Sequence, residues 1–501
     1  MTAGTASRRP ASLRWNVVAN YGGKLWSIAS VYLFVPIYIR LLGVGAYGLV
    51  AFYSVALAIL YIADAGLSSA FAREAARASD RGRLAKLLAS TEWALFAIVG
   101  LAGVLMASGG EFVATHWLKT GSSVNTELAT QCIRLMPLAL VPQIVIALYF
   151  GGLMGLQRQV SANVLTTVFS FVRSGLVVLP IWFVPDIRIF FLWQAAVSWL
   201  FMLLMRGSLR SALGIARLGA ERFSWPSLQP VMRYASGMFA MSIIAGVNSQ
   251  LDRLVVSSLR PIEEFAWYAL AATLAQIPSI VTMPIASALL PRFTELVESG
   301  DRRQLRDLYE LNSFFIAAVA AAGGGVLYFF AADVAAVWMS HREVPDAFVP
   351  VIQILSIGGM FLALQLAPFQ LSLANGHNRT NVSLGLWVLL ATVPLQIALT
   401  SRFGLVGAGV PWLLLNLFAF GYLGIQLNRK FNPGRVRLWF FCHCLPPLAV
   451  ALPLLAVARF AADRAGLHGW AACMVGTSFA GLSLAVSYAV RPFMIRRFNH
   501  D

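Results

Sequence analysis

The feature that most constrains this chain is a hairpin of apolar runs at residues 232–292. Arg233 opens a run that reaches Ser258, and its second half carries Asn248, Gln250, Asp252 and Arg253. After the polar turn Arg260-Pro261-Ile262-Glu263-Glu264, a second run extends from Phe265 to Leu290 and stops at Pro291-Arg292. A helix needs about 20 apolar residues to cross roughly 30 Å of hydrocarbon, and each run exceeds that. The sequence therefore predicts a transmembrane helical hairpin with ionisable groups inside it. Such groups are costly at membrane depth, so they are expected to face a bundle interior or a watery cavity.

The pattern recurs along the chain. Fourteen segments of spanning length can be marked, among them 16–39, 130–152, 160–184, 188–206, 234–258, 265–290, 438–459 and 468–490. Hydrophobic residues make up 59% and charged residues only 12%, against about 25% charged in soluble domains. The 501 residues are thus read as one all-α integral membrane bundle rather than several soluble domains. The formal charge of +17 comes from 38 Lys and Arg against 21 Asp and Glu. Most of that basic excess lies in alternate short loops, the positive-inside pattern, which predicts cytoplasmic N- and C-termini. It does not point to nucleic acid, because no basic patch with exposed aromatics lies outside the spans. The first apolar segment is too long for a cleavable signal peptide and lacks a cleavage-type end. The Asn378-Arg379-Thr380 and Asn381-Val382-Ser383 tripeptides fall on the cytoplasmic side, so they are read as chance patterns.

A weak internal repeat divides the spans. Tyr47 and Tyr268 open spans two and eight, and Gly155-Leu156-Gln157-Arg158 and Gly376-His377-Asn378-Arg379 occupy matching linkers at the same interval. Arg14-Trp15 and Arg233-Tyr234 precede spans one and seven two residues off that interval. The expected plan is an N-lobe at 12–206, a cytoplasmic linker at 207–232, a C-lobe at 233–430, and two further spans with a tail at 431–501. Parallel six-helix repeats are a plan of secondary transporters, with the site between halves near the midplane. A large bundle without symmetry is the plainer alternative. Two loops, 67–88 and 296–310, carry Arg and Lys among apolar residues and read either as interfacial helices or as simple topology anchors.

Within the spans the informative residues are Lys24, Arg134, Arg173 and the Asp252–Arg253 pair. Four unpaired cations against lipid would be costly, at about 3 kcal/mol each even on the lower insertion scale. They call for a cavity, a carboxylate or a bound anion. Arg also matches phosphate oxygens with a bidentate fork. The expected site is therefore a cationic cavity for a pyrophosphate head group, lined by Lys24, Arg134, Arg173 and Arg253. Arg134 and Arg253 lie near span ends, where snorkelling explains them equally well. Asp252 is a candidate partner for a cation, or a proton or sodium site. It points about 100° away from Arg253 around the helix, so the two need not pair. Asn248, Gln250 and Gln276 would line the same path, or bond between helices. Pro278, Pro284 and Pro291 are expected to loosen their helix.

Other chemistry is poorly represented. Cys132, Cys442, Cys444 and Cys473 all fall in apolar runs, so no disulfide framework is expected. Cys442-His443-Cys444 has no second ligand cluster, so no metal is expected. No HExxH, GxSxG or P-loop pattern is present. No cofactor is expected beyond a coupling ion, proton or sodium, and energy would come from an ion gradient or the membrane potential.

The stretch Tyr234-Ala235-Ser236-Gly237 through Leu251-Asp252-Arg253-Leu254-Val255-Val256, with Trp267-Tyr268-Ala269 and Leu290-Pro291-Arg292-Phe293, resembles the bacterial polysaccharide flippases. These are the Wzx-type O-antigen and exopolysaccharide transporters of the multidrug/oligosaccharidyl-lipid/polysaccharide exporter superfamily. Leu41-Leu42-Gly43-Val44-Gly45-Ala46-Tyr47-Gly48 and Ile62-Ala63-Asp64-Ala65-Gly66-Leu67 are similar too, so the resemblance covers roughly residues 12–430. It implies two six-helix lobes, a cationic cavity, and passage of undecaprenyl-pyrophosphate-linked glycan to the periplasmic leaflet of the bacterial inner membrane. A polymerase and a chain-length regulator of the same pathway would be partners. The two extra spans depart from the commonest twelve-span form and are shared with lipid II flippases, an alternative reading. A drug or cation antiporter would favour acidic cavity residues, whereas basic ones prevail here. A membrane polymerase or ligase would need a sizeable periplasmic loop; the loops at 109–129, with Glu111 and His116, and at 335–346 are modest.

Overall fold

The structure is a computed structural model that describes residues 29–498, apart from 31, 65, 78, 79, 122, 215–222, 341 and 342. Among these residues there is no β-strand; the chain is helical throughout. Among the described residues, eleven helices are long and apolar enough to cross a membrane. One of them, Arg379–Phe431, has 53 residues, which would make about 80 Å at ~1.5 Å per residue, far more than a bilayer core. Gly404 resolves the excess: its φ of 62° and ψ of −141° break the helix into two, a conformation that glycine adopts without steric cost. The first expected span, 16–39, lies mostly outside the described residues. The seventh falls on the 35-residue helix Trp225–Leu259.

Polar residues set where the helices begin. Asp80 accepts from the amides of Gly82 and Arg83, Asn125 from Leu128, Asp186 from Arg188, and Asp301 from Gln304. Each satisfies amides that the first helical turn leaves without partners. Gly214 and Gly300 end their helices in the left-handed region, at φ 74° in both.

Contacts divide the chain into two compact units, Met1–Val247 and Asn248–Asp501. In the first, the Thr126–Gly155 helix is central. It packs against Ile187–Leu213, Leu67–Arg77 and Arg81–Ser108. Small residues permit this: a Cβ on Gly152 would lie 2.7 Å from the Phe71 ring and 2.9 Å from Leu209. The Leu67–Arg77 segment, expected from its charge pattern, is a helix. It buries Leu67, Ala70 and Phe71 in the core and exposes Arg73 and Arg77.

In the second unit, Arg302–Phe329 is central and packs against Phe348–Leu364, Leu445–Arg464, Trp470–Phe498 and Ile277–Ser299. The two C-terminal spans are thus joined to this unit's core. Asp333 fastens them: it accepts from the Gly469 amide at 2.7 Å and pairs with Arg459. Pro278 follows a break at Gln276 that separates Ile262–Ala275 from Ile277–Ser299, so this span is interrupted, as its prolines suggest.

Candidate functional site

The most informative site in the first unit is built at a second broken helix. The sequence reads as one continuous span over 160–184, but the structure has a helix Gln159–Ser174, a turn at 175–177 and a short helix Val178–Phe183. A break in lipid frees backbone carbonyls, which must find partners inside the protein. Here three consecutive carbonyls do. Val172 accepts from Trp193 Nε1 at 3.1 Å, Arg173 from Gln194 Nε2 at 3.1 Å, and Ser174 from the Tyr38 hydroxyl. Two of those donors lie on the neighbouring Ile187–Leu213 helix.

Arg173 sits in the last turn before this break, half-buried. Its Nη1 donates to Gln143 Oε1 at 3.0 Å, and its guanidinium lies 5.5 Å from the centroid of Phe169. Gln143 is itself buried and donates to Tyr53 and, at 3.1 Å, to Ser198. Arg173 Nε is buried with no hydrogen-bond partner, and no carboxylate among the described residues lies within ion-pair distance. Its surroundings are thus neutral amides, phenols and an aromatic face. They orient the cation and leave its charge uncompensated.

The second unit holds a different set. Asp252 is 8% exposed and accepts from the Tyr268 hydroxyl at 2.9 Å. That hydroxyl also lies 3.4 Å from the carbonyl of Ala408, which Gln396 Nε2 reaches at 3.0 Å. Gln396 precedes Gly404 and Ala408 follows it, so this chain of contacts staples both sides of the break. Asn248 donates to the Gly385 carbonyl at 2.9 Å. Arg253 turns away from Asp252 towards Gln250, at 3.4 Å, and its Nε is buried without a partner. This agrees with the angular separation expected of adjacent helical residues.

The sequence profile of the family described as polysaccharide biosynthesis protein matches residues 15–297, more than half of the chain. The chain belongs to that family. A Shigella flexneri protein named for O-antigen transport is 23% identical over 378 residues, covering 72% of this chain and 85% of the relative. In fold the chain is similar to the lipid II flippase MurJ in an inward closed conformation. That match has a TM-score of 0.70 at 11% identity and covers 95% of this chain and 98% of the other. An inward-facing multidrug-resistance MATE family transporter of the MOP superfamily follows at 0.60 and 13%, over 84% and 96%. This polysaccharide-biosynthesis protein is therefore a multi-pass membrane protein whose fold is similar to those of the two transporters.

The expected site residues can be placed within each unit by itself. Arg173 lies within the first unit beside Gln143 and Tyr53. Lys24 lies outside the described residues. Arg134 pairs with Glu111 at 3.3 Å, both side chains largely exposed, so its charge is met at the surface rather than beside Arg173. His116, in the same loop, contacts Thr115 at 2.6 Å. Asp252, Asn248, Gln250 and Arg253 share one helix in the second unit, and Gln276 occupies the break described above.

Sequence reasoning missed the polar shell. Tyr53 and Gln143 carry no charge and look like ordinary span residues; Gln143 directly after Pro142 was the one available signal. It also missed a buried ion pair, in which Arg206 Nε and Nη2 grip both oxygens of Glu92 at 2.9 and 2.8 Å. The two residues stand near the ends of segments separated by more than a hundred positions, and only folding brings them together.

Proposed function

We propose that this polysaccharide-biosynthesis transporter flips an undecaprenyl-pyrophosphate-linked oligosaccharide. Movement runs from the cytoplasmic to the periplasmic leaflet of a bacterial inner membrane, with both termini cytoplasmic. The observation that carries this reading is Arg173: a half-buried cation at a helix break, held by neutral groups and without a carboxylate. A charge kept in that condition at membrane depth needs an anionic partner part of the time. A guanidinium fork suits phosphate oxygens, and phosphate is what a lipid-linked sugar carries at the junction of head and tail. The sugars would cross in water while the prenyl chain stays in lipid. The similarity to a protein named for O-antigen transport supports the glycan, and the likeness in fold to a lipid II flippase accords with a lipid-linked cargo.

Transport proceeds by alternating access of the two repeats, driven by an ion gradient or the membrane potential. Asp252 is the group assigned to coupling, because it is a buried carboxylate held by a phenol rather than by a cation. A polymerase and a chain-length regulator would receive the product.

The test uses the purified chain in liposomes with a fluorescent lipid-linked oligosaccharide and a membrane-impermeant glycan-oxidising reagent. Under an imposed gradient the labelled lipid should become accessible in the opposite leaflet faster than in protein-free vesicles. Equal rates would sink the proposal. A lipid II analogue in the same vesicles separates the second reading: faster movement of that analogue would favour a peptidoglycan-precursor cargo, in keeping with the fold similarity.

A further inference from the structure

The second unit contains a cavity of about 250 Å³ whose lining does not include Asp252. It is formed where the Arg302–Phe329 helix begins and the Trp470–Phe498 helix ends. These helices run antiparallel, since Gly469 bonds to Asp333, Tyr488 stacks near Phe315 and Arg491 lies over Phe314. Four arginines line the cavity: Arg303, Arg306, Arg435 and Arg491. Two carboxylates oppose them. Glu310 accepts from Arg435 at 3.0 Å and lies 3.3 Å from His443 Nε2, so its charge is already shared. Asp307 stands 3.5 Å from Arg306 and is largely exposed. Four positive charges against two negative ones leave a positive excess along the lining. Arg306 Nε faces only that Asp307 oxygen, at 3.5 Å, and Arg491 Nε is buried without a hydrogen-bond partner among the described residues; buried donors are rarely left so.

Size and position narrow the ligand. The cavity greatly exceeds the ~10–15 Å³ that one water needs. It falls short of the roughly 300–1,000 Å³ of pockets that enclose whole small molecules. A phosphate-bearing head group fits between those limits, with the remainder of its molecule outside. The neighbouring surface is apolar and exposed: Phe441, Leu484 and Tyr488 stand beside the cavity's own helices. In a bilayer that surface meets acyl chains, and clustered Arg at a helix end binds anionic lipid head groups.

We propose that this cavity binds the phosphate of an anionic phospholipid, with its acyl chains along the outer face of Trp470–Phe498. The two C-terminal spans then serve as a lipid-anchored edge of the second unit. The site does not depend on Arg173 or on the identity of the transported glycan.

The experiment uses the full chain, purified and delipidated in detergent. Thermal unfolding is followed with added phosphatidylglycerol, phosphatidylcholine or inorganic phosphate, and retained lipid is counted by native mass spectrometry. Phosphatidylglycerol should raise Tm and remain bound where phosphatidylcholine does not. Arg303→Gln/Arg491→Gln should lose at least half of that rise and of the bound lipid. Arg379→Gln/Arg429→Gln, which removes two exposed arginines elsewhere, should keep both. Should the double variant not fold, Arg303→Gln alone, exposed in the first helical turn, gives the same reading. An unchanged response in the Arg303 variants overturns the site. A full response to inorganic phosphate alone assigns the anion to solution and overturns the lipid.

Discussion

Replacing Arg173 by Gln separates a transport role from a packing role. In the folded protein the Arg173 guanidinium donates to Gln143 and has no carboxylate partner among the described residues. Gln at this position keeps a polar side chain and removes a charge that nothing nearby compensates. The cost to stability is therefore that of one polar bond, about 0.5–1.5 kcal/mol. Relief of an unpaired, half-buried cation offsets part of it. The break itself is held by Tyr38, Trp193 and Gln194 through main-chain carbonyls, which the substitution leaves in place. Transport is affected differently. A hydrogen bond to an ionised phosphate is worth about 1.5–3 kcal/mol, and each 1.4 kcal/mol or so is a factor of ten. The expected outcome is a roughly 10- to 150-fold slower appearance of labelled lipid in the far leaflet, with Tm lowered by only a few degrees. Arg173→Lys should recover part of the rate, because it restores charge without the planar fork. Vesicle flipping and thermal unfolding are measured on the same preparations. Wild-type flipping in Arg173→Gln, or a collapse of Tm that accounts for the lost activity, refutes the reasoning.

Three further outcomes follow from other groups. Asp252→Asn keeps an acceptor for Tyr268 and should fold normally, but flipping should no longer respond to an imposed proton or sodium gradient; an undiminished response removes Asp252 from the ion path. Arg206→Met strands Glu92, whose side chain is 7% exposed, at a cost of about 3 kcal/mol, the low end of the range for breaking a buried pair because Arg206 is itself 30% exposed. Glu92→Met/Arg206→Met should recover most of that loss in thermal unfolding, whereas a double variant no better than the single one would mean the pair is not coupled. His377 lies in the turn before Arg379–Phe431, where partial burial and then the charges of Lys430 and Arg379 hold its imidazole below its usual range. A folded value below the unfolded one means the unfolded chain takes the proton first, so stability falls as pH drops through 6.5; His377→Gln should flatten that part of the Tm-against-pH curve, and an unchanged slope assigns it to other groups.

The spans were legible because hydropathy acts over windows of about 20 residues and needs no knowledge of neighbours. The same logic made Arg173 visible: one cation in an apolar run stands out whatever it touches. What hydropathy could not show was the break at 175–177. Nothing in the local sequence demands it; Gly175 permits it, and Phe34 stands where a Cβ at that position would clash. The break persists because side chains more than a hundred residues away in one case, and about twenty in two others, supply the donors its carbonyls require. Gly404 is the converse case. Its loop, Ser401-Arg402-Phe403-Gly404, is polar enough to divide two spans by sequence, and Gln396 closes the resulting kink onto Ala408.

Arg134, expected to line a cationic cavity, shows where such reading stops. Position along a span gives depth but not azimuth, and azimuth decides the partner. Arg134 had a carboxylate within reach in the preceding loop, and Glu111 takes it. Arg173 had only amides and phenols around it, so its charge remained available. Uncompensated charge, rather than charge at depth, is therefore the property to look for when assigning a phosphate-binding residue in this fold. By that measure Arg491, which lines the cavity where the Arg302–Phe329 helix begins and whose Nε has no hydrogen-bond partner among the described residues, ranks with Arg173.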